Sequence, residues 1–306
     1  MPLSFKHLEQ EDLPVITPYL LTQTDRFCDW TVGALYMWRQ FFSCRYTIAA
    51  DCLVFQVRQP DGQDYFTYPL GRGDHESALA LLEEYCAAAN EQLQFTTVST
   101  ADAARLTARY GKQMQVLPQR DFYDYLYERE ALATFAGRRY SRLRNHIHQF
   151  QKRCPHWQYR SLAREDLPAV ERFLEEWITR KEADGPLSPL EKADADGTRE
   201  MLSLMHDFGF SGGLLTDGEA IVAFCVGEQL GDTLYVHIEK GDTHYDGAYQ
   251  LLVREYAAHS DCSARFINRE DDTGNEGLRR SKMAYRPCAI LEKNNVIPPK
   301  AGAEKG

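Results

Sequence analysis

The sequence predicts an α/β protein of two tandem domains, each a mixed central sheet flanked by helices. Three observations carry that expectation. The chain has 306 residues, 43% of them hydrophobic and 26% charged, which suits about two cores of ordinary size. Leu8 opens LEQEDLPVITPYL and Leu162 opens LAREDLPAVERFL, so one short apolar segment leads through Glu-Asp into Leu-Pro once in each half. After it, the two halves continue with the same succession of strand-like and helix-like runs.

In both matched segments the acids sit where they favour the exposed amides of a helix N-terminus, and Pro is tolerated in the first turn. Next come strand-like runs. The first half has YTIAADCLVFQVRQPDGQDYFTYPL with a Pro-Asp-Gly turn, and the second has GGLLTDGEAIVAFCVGEQLGDTLYVHIEK with Asp-Gly and Gly-Asp turns. Helices follow, SALALLEEYCAAAN and AYQLLVREYAAHS, sharing a Leu-Leu pair and a Glu-Tyr-x-Ala ending. A strand, LQFTTVST or ARFINRE, and a further helical run close each half. The reading is a duplicated domain of order α, antiparallel strands, α, β, α, β. Its boundary is expected near Pro155: an N-terminal domain over 1–155 ending in a basic linking helix, a C-terminal domain over 156–295, and a flexible tail over 296–306.

Charge and cysteine usage narrow the function. The net charge of -10 repels phosphate-rich partners from the surface as a whole, so any anionic ligand must meet a local basic patch. The eight cysteines are scattered, form no CxxC pair and sit mostly beside apolar residues, which suits reduced, buried thiols better than a disulfide frame or a zinc site. No apolar run follows a basic cap at the start, and nowhere are 18 apolar residues consecutive. A cytoplasmic protein without a transmembrane segment is expected.

The densest basic segment is AGRRYSRLRNHIHQFQKR, from Ala136 to Arg153. Leu132, Ala136, Tyr140, Leu143, Ile147 and Phe150 recur at helical spacing, so one stripe can face a core. Arg138, Arg142 and His146 line one flank and Arg144, His148 and Lys152 another, with no acid among them. Two readings stand: a solvated face that neutralises an acidic protein, or an anion site for phosphates of RNA or of lipid head groups. His146 and His148, two apart, fall on different sides of a helix and make a poor metal pair. The stretch NREDDTGNEGLRRSK, Asn268 to Lys282, is no calcium loop either. The sixth position, which needs Gly, is Thr273 counted from Asn268 and Glu276 counted from Asp271. Its change of sign is that of a helix with acids at its positive end and bases further along. No metal site is expected.

The element order is the one expected of a Gcn5-related N-acetyltransferase fold, in which a helix N-terminus beside a splayed strand binds the pyrophosphate of coenzyme A. TLYVHIEK would be that strand and GDTHYDGAYQ the turn. The turn departs from the usual signature: Gly247 is followed by Ala248 and Tyr249, His244 stands where Gln or Arg would, and Asp242 and Asp246 add negative charge. YLYEREALATFAGRRYSRLRNHIHQFQKR, HIEKGDTHYDGAYQLLVREYA and FINREDDTGNEGLRRSKMAYRP further resemble soluble relatives of the phosphatidylglycerol lysyltransferase C-terminal domain. The resemblance covers most of residues 120 to 290. It implies tandem acetyltransferase-like (GNAT) folds, similar also to the Fem peptidyltransferases, which take amino acids from aminoacyl-tRNA.

What the resemblance implies is acyl or aminoacyl transfer from an activated donor, aminoacyl-tRNA or a coenzyme A thioester, to an amine or hydroxyl. The backbone amides around Val236 to Ile238 are candidate oxyanion donors. His237 and Glu239 alternate on one strand face as a base and its orienting partner, and Tyr285 is the candidate proton donor. The donor-binding set is Arg138, Arg142, Arg144, Asn145 and His146 on the basic segment, Gly247 at the helix start, and Asn268, Arg269, Arg279 and Lys282 near the C-terminal end. Together these bases would clamp an anionic donor or a lipid head group. The alternative is a non-catalytic anion-binding protein that retains the fold.

Overall fold

In the computed structural model, which describes residues 3–59, 62–183 and 185–299, the first half runs β1 (Lys6–His7), α1 (Leu13–Leu20), α2 (Val32–Trp38), β2 (Arg45–Ala49), β3 (Cys52–Arg58), β4 (Asp64–Phe66), α3 (His75–Ala89), β5 (Phe95–Val98), α4 (Thr100–Tyr110) and β6 (Gln115–Pro118). Then follow β7 (Asp124–Glu128), α5 (Arg129–Thr134), α6 (Ser141–Arg153), β8 (Trp157–Ser161), α7 (Leu167–Ala183), α8 (Pro189–Leu204), β9 (Ser211–Asp217), β10 (Ala220–Leu230) and β11 (Thr233–Gly241). Last come α9 (Ala248–His259), β12 (Phe266–Asn268), α10 (Glu276–Ala284), β13 (Ala289–Leu291) and β14 (Asn294–Ile297).

The two matched Glu-Asp-Leu-Pro segments fold alike. Asp12 accepts the amide of Glu9 at 3.1 Å and Asp166 that of Ala163 at 2.8 Å, each closing a capped turn ahead of its helix. Each of these carboxylates also holds a base from the preceding strand, Lys6 in one half and Arg160 in the other. Leu8 and Leu162 are buried just before the caps. The expected turns fall where Gly218 (φ 60°) and Gly231 (φ 57°) join β9 to β10 and β10 to β11. Pro60 and Asp61 of the first-half turn lie outside the described residues.

The sheets are ordered β1-β2-β3-β4-β5-β14-β6 and β8-β9-β10-β11-β12-β7-β13. The orders correspond place by place, which is the duplication. The sixth place of each sheet is filled by the strand that follows the other sheet's last strand in sequence: β7 follows β6, and β14 follows β13. The chain accordingly divides into two compact units, residues 1–123 with 291–306 and residues 124–290. This differs from the expected boundary near Pro155. The segment 124–153, expected to close the N-terminal domain, instead supplies β7, α5 and α6 to the second unit, because Tyr125, Tyr127, Leu132, Leu143, Ile147 and Phe150 bury in that unit's core. The expected tail begins inside β14, where Val296 is fully buried, and residues 300–306 lie outside the described residues.

In the first unit, Leu79, Leu82 and Cys86 of α3 pack with Phe66, Phe95 and Val296. In the second, Leu251, Leu252 and Tyr256 of α9 pack with Leu234 and Val236 of β11 and with the apolar stripe of α6. Of the Leu-Leu pair shared by the two sequences, both Leu251 and Leu252 are in the second core, whereas in the first unit Leu82 is in the core and Leu81 is half-buried. Among the described residues no helix is long and apolar enough to cross a membrane.

Candidate active site

The irregularity that builds the site is in β11. Its antiparallel register with β10 jumps from Val226–Ile238 to Gly227–Val236, leaving His237 as an extra residue in a β-bulge. Gly227 permits it: a Cβ there would stand 2.2 Å from the Tyr235 carbonyl oxygen. On its other side β11 pairs in parallel with β12 only over Thr233–Tyr235. Beyond Asn268 the segment that follows β12 turns through Glu270, which has a left-handed backbone (φ 56°). A wedge therefore opens beside Val236–Gly241, the segment expected to supply oxyanion amides.

Two charged contacts bridge this wedge. The His237 ring, its side chain fully buried, bonds through Nδ1 to Glu270 at 2.7 Å and through Nε2 to Glu228 at 3.0 Å. Glu239 takes a two-pronged contact from Arg269, at 2.9 and 2.6 Å, and the Arg269 guanidinium lies 4.3 Å from the centre of the Tyr285 ring. His237 and Glu239 do not pair with each other. The bulge breaks the alternation that would have put them on one face, and each finds a separate partner across the wedge.

Burial alone would lower the His237 pKa, but the hydrogen bonds to Glu228 and Glu270 outweigh it and raise it to about 9. With both ring nitrogens donating to carboxylates, the imidazole is a cation at neutral pH and not a free base. The sign of its effect on stability follows. A pKa raised in the folded state stabilises fully below the ordinary value of 6.5, and that stabilisation is lost as pH rises through about 9. Denaturation across this window should show a loss on the order of 3 kcal/mol that His237→Gln flattens. An unchanged slope in that variant would assign the loss to another group.

The turn after β12 is braced from inside. Asn268, fully buried, donates to Asp124 at 2.9 Å and accepts the Glu270 amide at 2.6 Å. Asp272 accepts from Tyr125 at 2.5 Å and from Arg279 at 2.9 and 2.7 Å. Lys282 is buried and donates to the carbonyls of Arg269 and Asp271. Asn268, Arg269, Arg279 and Lys282, expected to touch a donor, are each held by internal partners. Tyr285 is buried against Phe135 and Tyr127, and burial pushes its hydroxyl up to about 12.

The basic helix α6 behaves otherwise. Leu143, Ile147 and Phe150 face the core, while Arg142, Asn145, His148 and Lys152 are exposed on the opposite side, with Arg138 exposed just ahead. Arg144 is drawn off this face, donating to the carbonyls of Phe135 and Gly137 that end α5. His146 lies 3.2 Å from Asp246, and Arg153 donates to the Asp246 carbonyl at 3.0 Å.

Those last contacts decide whether coenzyme A fits at the N-terminus of α9. Gly247 (φ +96°) presses against α6 so closely that a Cβ would lie 2.4 Å from the His146 carbonyl oxygen. A pyrophosphate there would face that carbonyl and the carboxylates of Asp242 and Asp246. In the first unit the matching helix α3 is capped by its own Asp74, which accepts the Ser77 amide at 3.1 Å. Neither helix start fits the group. Gly247→Ala is expected to destabilise the protein by about 3 kcal/mol, from the left-handed backbone and the collision with α6, as read by urea denaturation. A change within about 0.5 kcal/mol would contradict the close approach.

One residue of the wedge, Glu228, was not singled out by sequence reasoning. The available signal was Gly227 inside the apolar run IVAFCVGEQL, a mark of a bulge with the next side chain re-aimed.

The family model described as Phosphatidylglycerol lysyltransferase, C-terminal matches residues 24–293. Among curated proteins the chain is 26% identical over 171 residues to an uncharacterized protein of Mycoplasmoides gallisepticum, covering 56% of this chain and 54% of that one. The match thus spans about half the length of that relative. Among solved structures, a conserved protein of unknown function from Bacteroides thetaiotaomicron is similar at 29% identity and TM-score 0.90, over 97% of this chain and 100% of that one. The L-PGS structure from Bacillus licheniformis is similar at 14% identity and TM-score 0.62, over 97% and 94% of the two chains. FemX is similar at 9% identity and TM-score 0.59, over 96% and 97%. At those identities the last two show a shared fold alone, and the two mixed sheets flanked by helices are the tandem α/β architecture expected from the sequence.

Proposed function

Because the chain belongs to the phosphatidylglycerol lysyltransferase C-terminal family, whose model matches residues 24–293, we propose that it is an aminoacyltransferase drawing on aminoacyl-tRNA rather than on a coenzyme A thioester. The observation that carries the choice of donor is the contrast between two anion sites. The α9 N-terminus is closed by the His146 carbonyl and flanked by Asp242 and Asp246, whereas α6 presents an exposed basic face without an acid.

The ester carbonyl sits at the β11 bulge. The amine or hydroxyl of the acceptor attacks the carbonyl carbon, the new C–N or C–O bond forms, and the carbonyl oxygen becomes an anion. Amides around Val236–Ile238 stabilise that charge. The bond from the carbonyl carbon to the ribosyl oxygen then breaks, the carbonyl re-forms, and the leaving oxygen takes a proton that is replaced by the one the acceptor loses. Tyr285 keeps its proton at neutral pH and stacks on Arg269, which holds Glu239, so this trio is the candidate proton donor with its support.

A second reading, an anion-binding protein without catalysis, is favoured by the saturation of the wedge, since both His237 nitrogens and both Glu239 oxygens are engaged. Discharge of aminoacyl-tRNA onto amine and hydroxyl acceptors separates the two. Transfer reading: Glu239→Gln and Tyr285→Phe slow discharge at least about tenfold. If the unaltered protein discharges aminoacyl-tRNA no faster than the uncatalysed reaction while Arg142→Ala abolishes tRNA binding, the protein binds without catalysing.

A further inference from the structure

Helix α10 has an unusual interior: its one buried residue is Lys282, while Leu278 and Met283 are 40% and 41% exposed. Withdrawing an ammonium from water is unfavourable unless its donors are satisfied. The acceptors recorded for Lys282 are two backbone carbonyls, those of Arg269 and Asp271, the neighbours on either side of Glu270. Glu270 has the left-handed backbone, a conformation costing about 1–2 kcal/mol for a residue with a Cβ. Such a turn persists where its surroundings over-determine it. Here the Glu270 amide is bonded to the Asn268 side chain at 2.6 Å, and the Tyr125 amide donates to the Glu270 carbonyl at 3.1 Å. Lys282 ties the carbonyls before and after it. The result of this bracing is the placement of the Glu270 carboxylate 2.7 Å from His237, the extra residue of the bulge.

We propose that Lys282 is a positioning residue: by tying the carbonyls that flank Glu270 it locks the left-handed turn, and through Glu270 it fixes the His237 cation at the β11 bulge. This assigns Lys282 an internal role in place of the donor contact expected from its charge. It also explains why a helix with an otherwise solvated surface is docked where it is, with Tyr127 donating to the Lys282 carbonyl at 2.9 Å. The relevance of the lock to transfer rests on the bulge being the reacting site, but the lock has a readout that needs no turnover.

That readout is the titration of the His237 ring followed by NMR in the full chain, assigned by comparison with His237→Gln. In Lys282→Met the turn relaxes, Glu270 withdraws, and the affinity of His237 for its proton falls about tenfold or more, as Glu270→Gln also produces. Lys282→Arg, whose guanidinium can reach two carbonyls, retains the wild-type titration. Should Lys282→Met fail to fold, Lys282→Gln, which keeps an N–H donor, is read in the same way and shows a smaller fall. A folded Lys282→Met or Lys282→Gln in which His237 titrates as in the wild type overturns the proposal. So does a Lys282→Arg variant as impaired as Lys282→Met, because the effect would then lie in packing and not in the hydrogen bonds. A lowered His237 affinity in a protein that discharges no aminoacyl-tRNA keeps the lock and rejects the transfer reading.

Discussion

Replacing Arg269 with methionine is expected to destabilise the protein by about 3–5 kcal/mol, because it leaves the carboxylate of Glu239 in the wedge without its counter-charge. Arg269 is 7% exposed, contacts Glu239 through two nitrogens at 2.9 and 2.6 Å, and stacks on Tyr285. Burial works against its charge, but Glu239 more than compensates and holds the guanidinium pKa above its ordinary value. Methionine keeps much of the apolar stem while removing the charge. The double variant Glu239→Gln, Arg269→Met should recover a large part of the loss, since the expense lies in an orphaned charge more than in a missing attraction. Urea denaturation of the two single variants and the double variant checks this. A single-variant loss below about 1 kcal/mol would mean that the pair is solvated and does not bridge a closed wedge.

Reversing two charges on α6, Arg142→Glu with Lys152→Glu, is expected to weaken aminoacyl-tRNA binding about a hundredfold and to lower the salt slope by about two, one for each phosphate contact removed. Both side chains are exposed on the face opposite Leu143, Ile147 and Phe150, so the midpoint of thermal unfolding should hardly move. Affinity measured over a series of salt concentrations is the check. Unchanged binding with an unchanged slope would return the helix to the bland role of neutralising an acidic surface.

The duplication was legible because each half carries the same capped helix start, and a cap is a local device whose residues lie adjacent in sequence: Glu9 with Asp12, Ala163 with Asp166. The exchanged strands were not. Four residues such as those of β14 look the same in whichever sheet they enter, and the apolar stripe of α6 fits either core; only non-local packing decides. The site was half legible. The run from Asn268 to Asp272 stood out and does form the edge of the wedge, yet its charges were read as contacts for a ligand. Sequence shows that Arg269, Arg279 and Lys282 are basic; it does not show that a carboxylate, a second carboxylate and a pair of carbonyls wait for them. The same blindness hid Glu228, an acid in an apolar strand whose purpose appears only when the bulge turns His237 toward it.

The most direct test of the donor assignment is equilibrium binding of aminoacyl-tRNA and of acetyl-coenzyme A to the same preparation, at several salt concentrations. The closed α9 start and the open basic face of α6 require saturable tRNA binding that weakens steeply as salt rises, with no saturable binding of acetyl-coenzyme A at concentrations up to about 1 mM. Saturable binding of acetyl-coenzyme A together with tRNA binding that is absent or independent of salt would contradict the account.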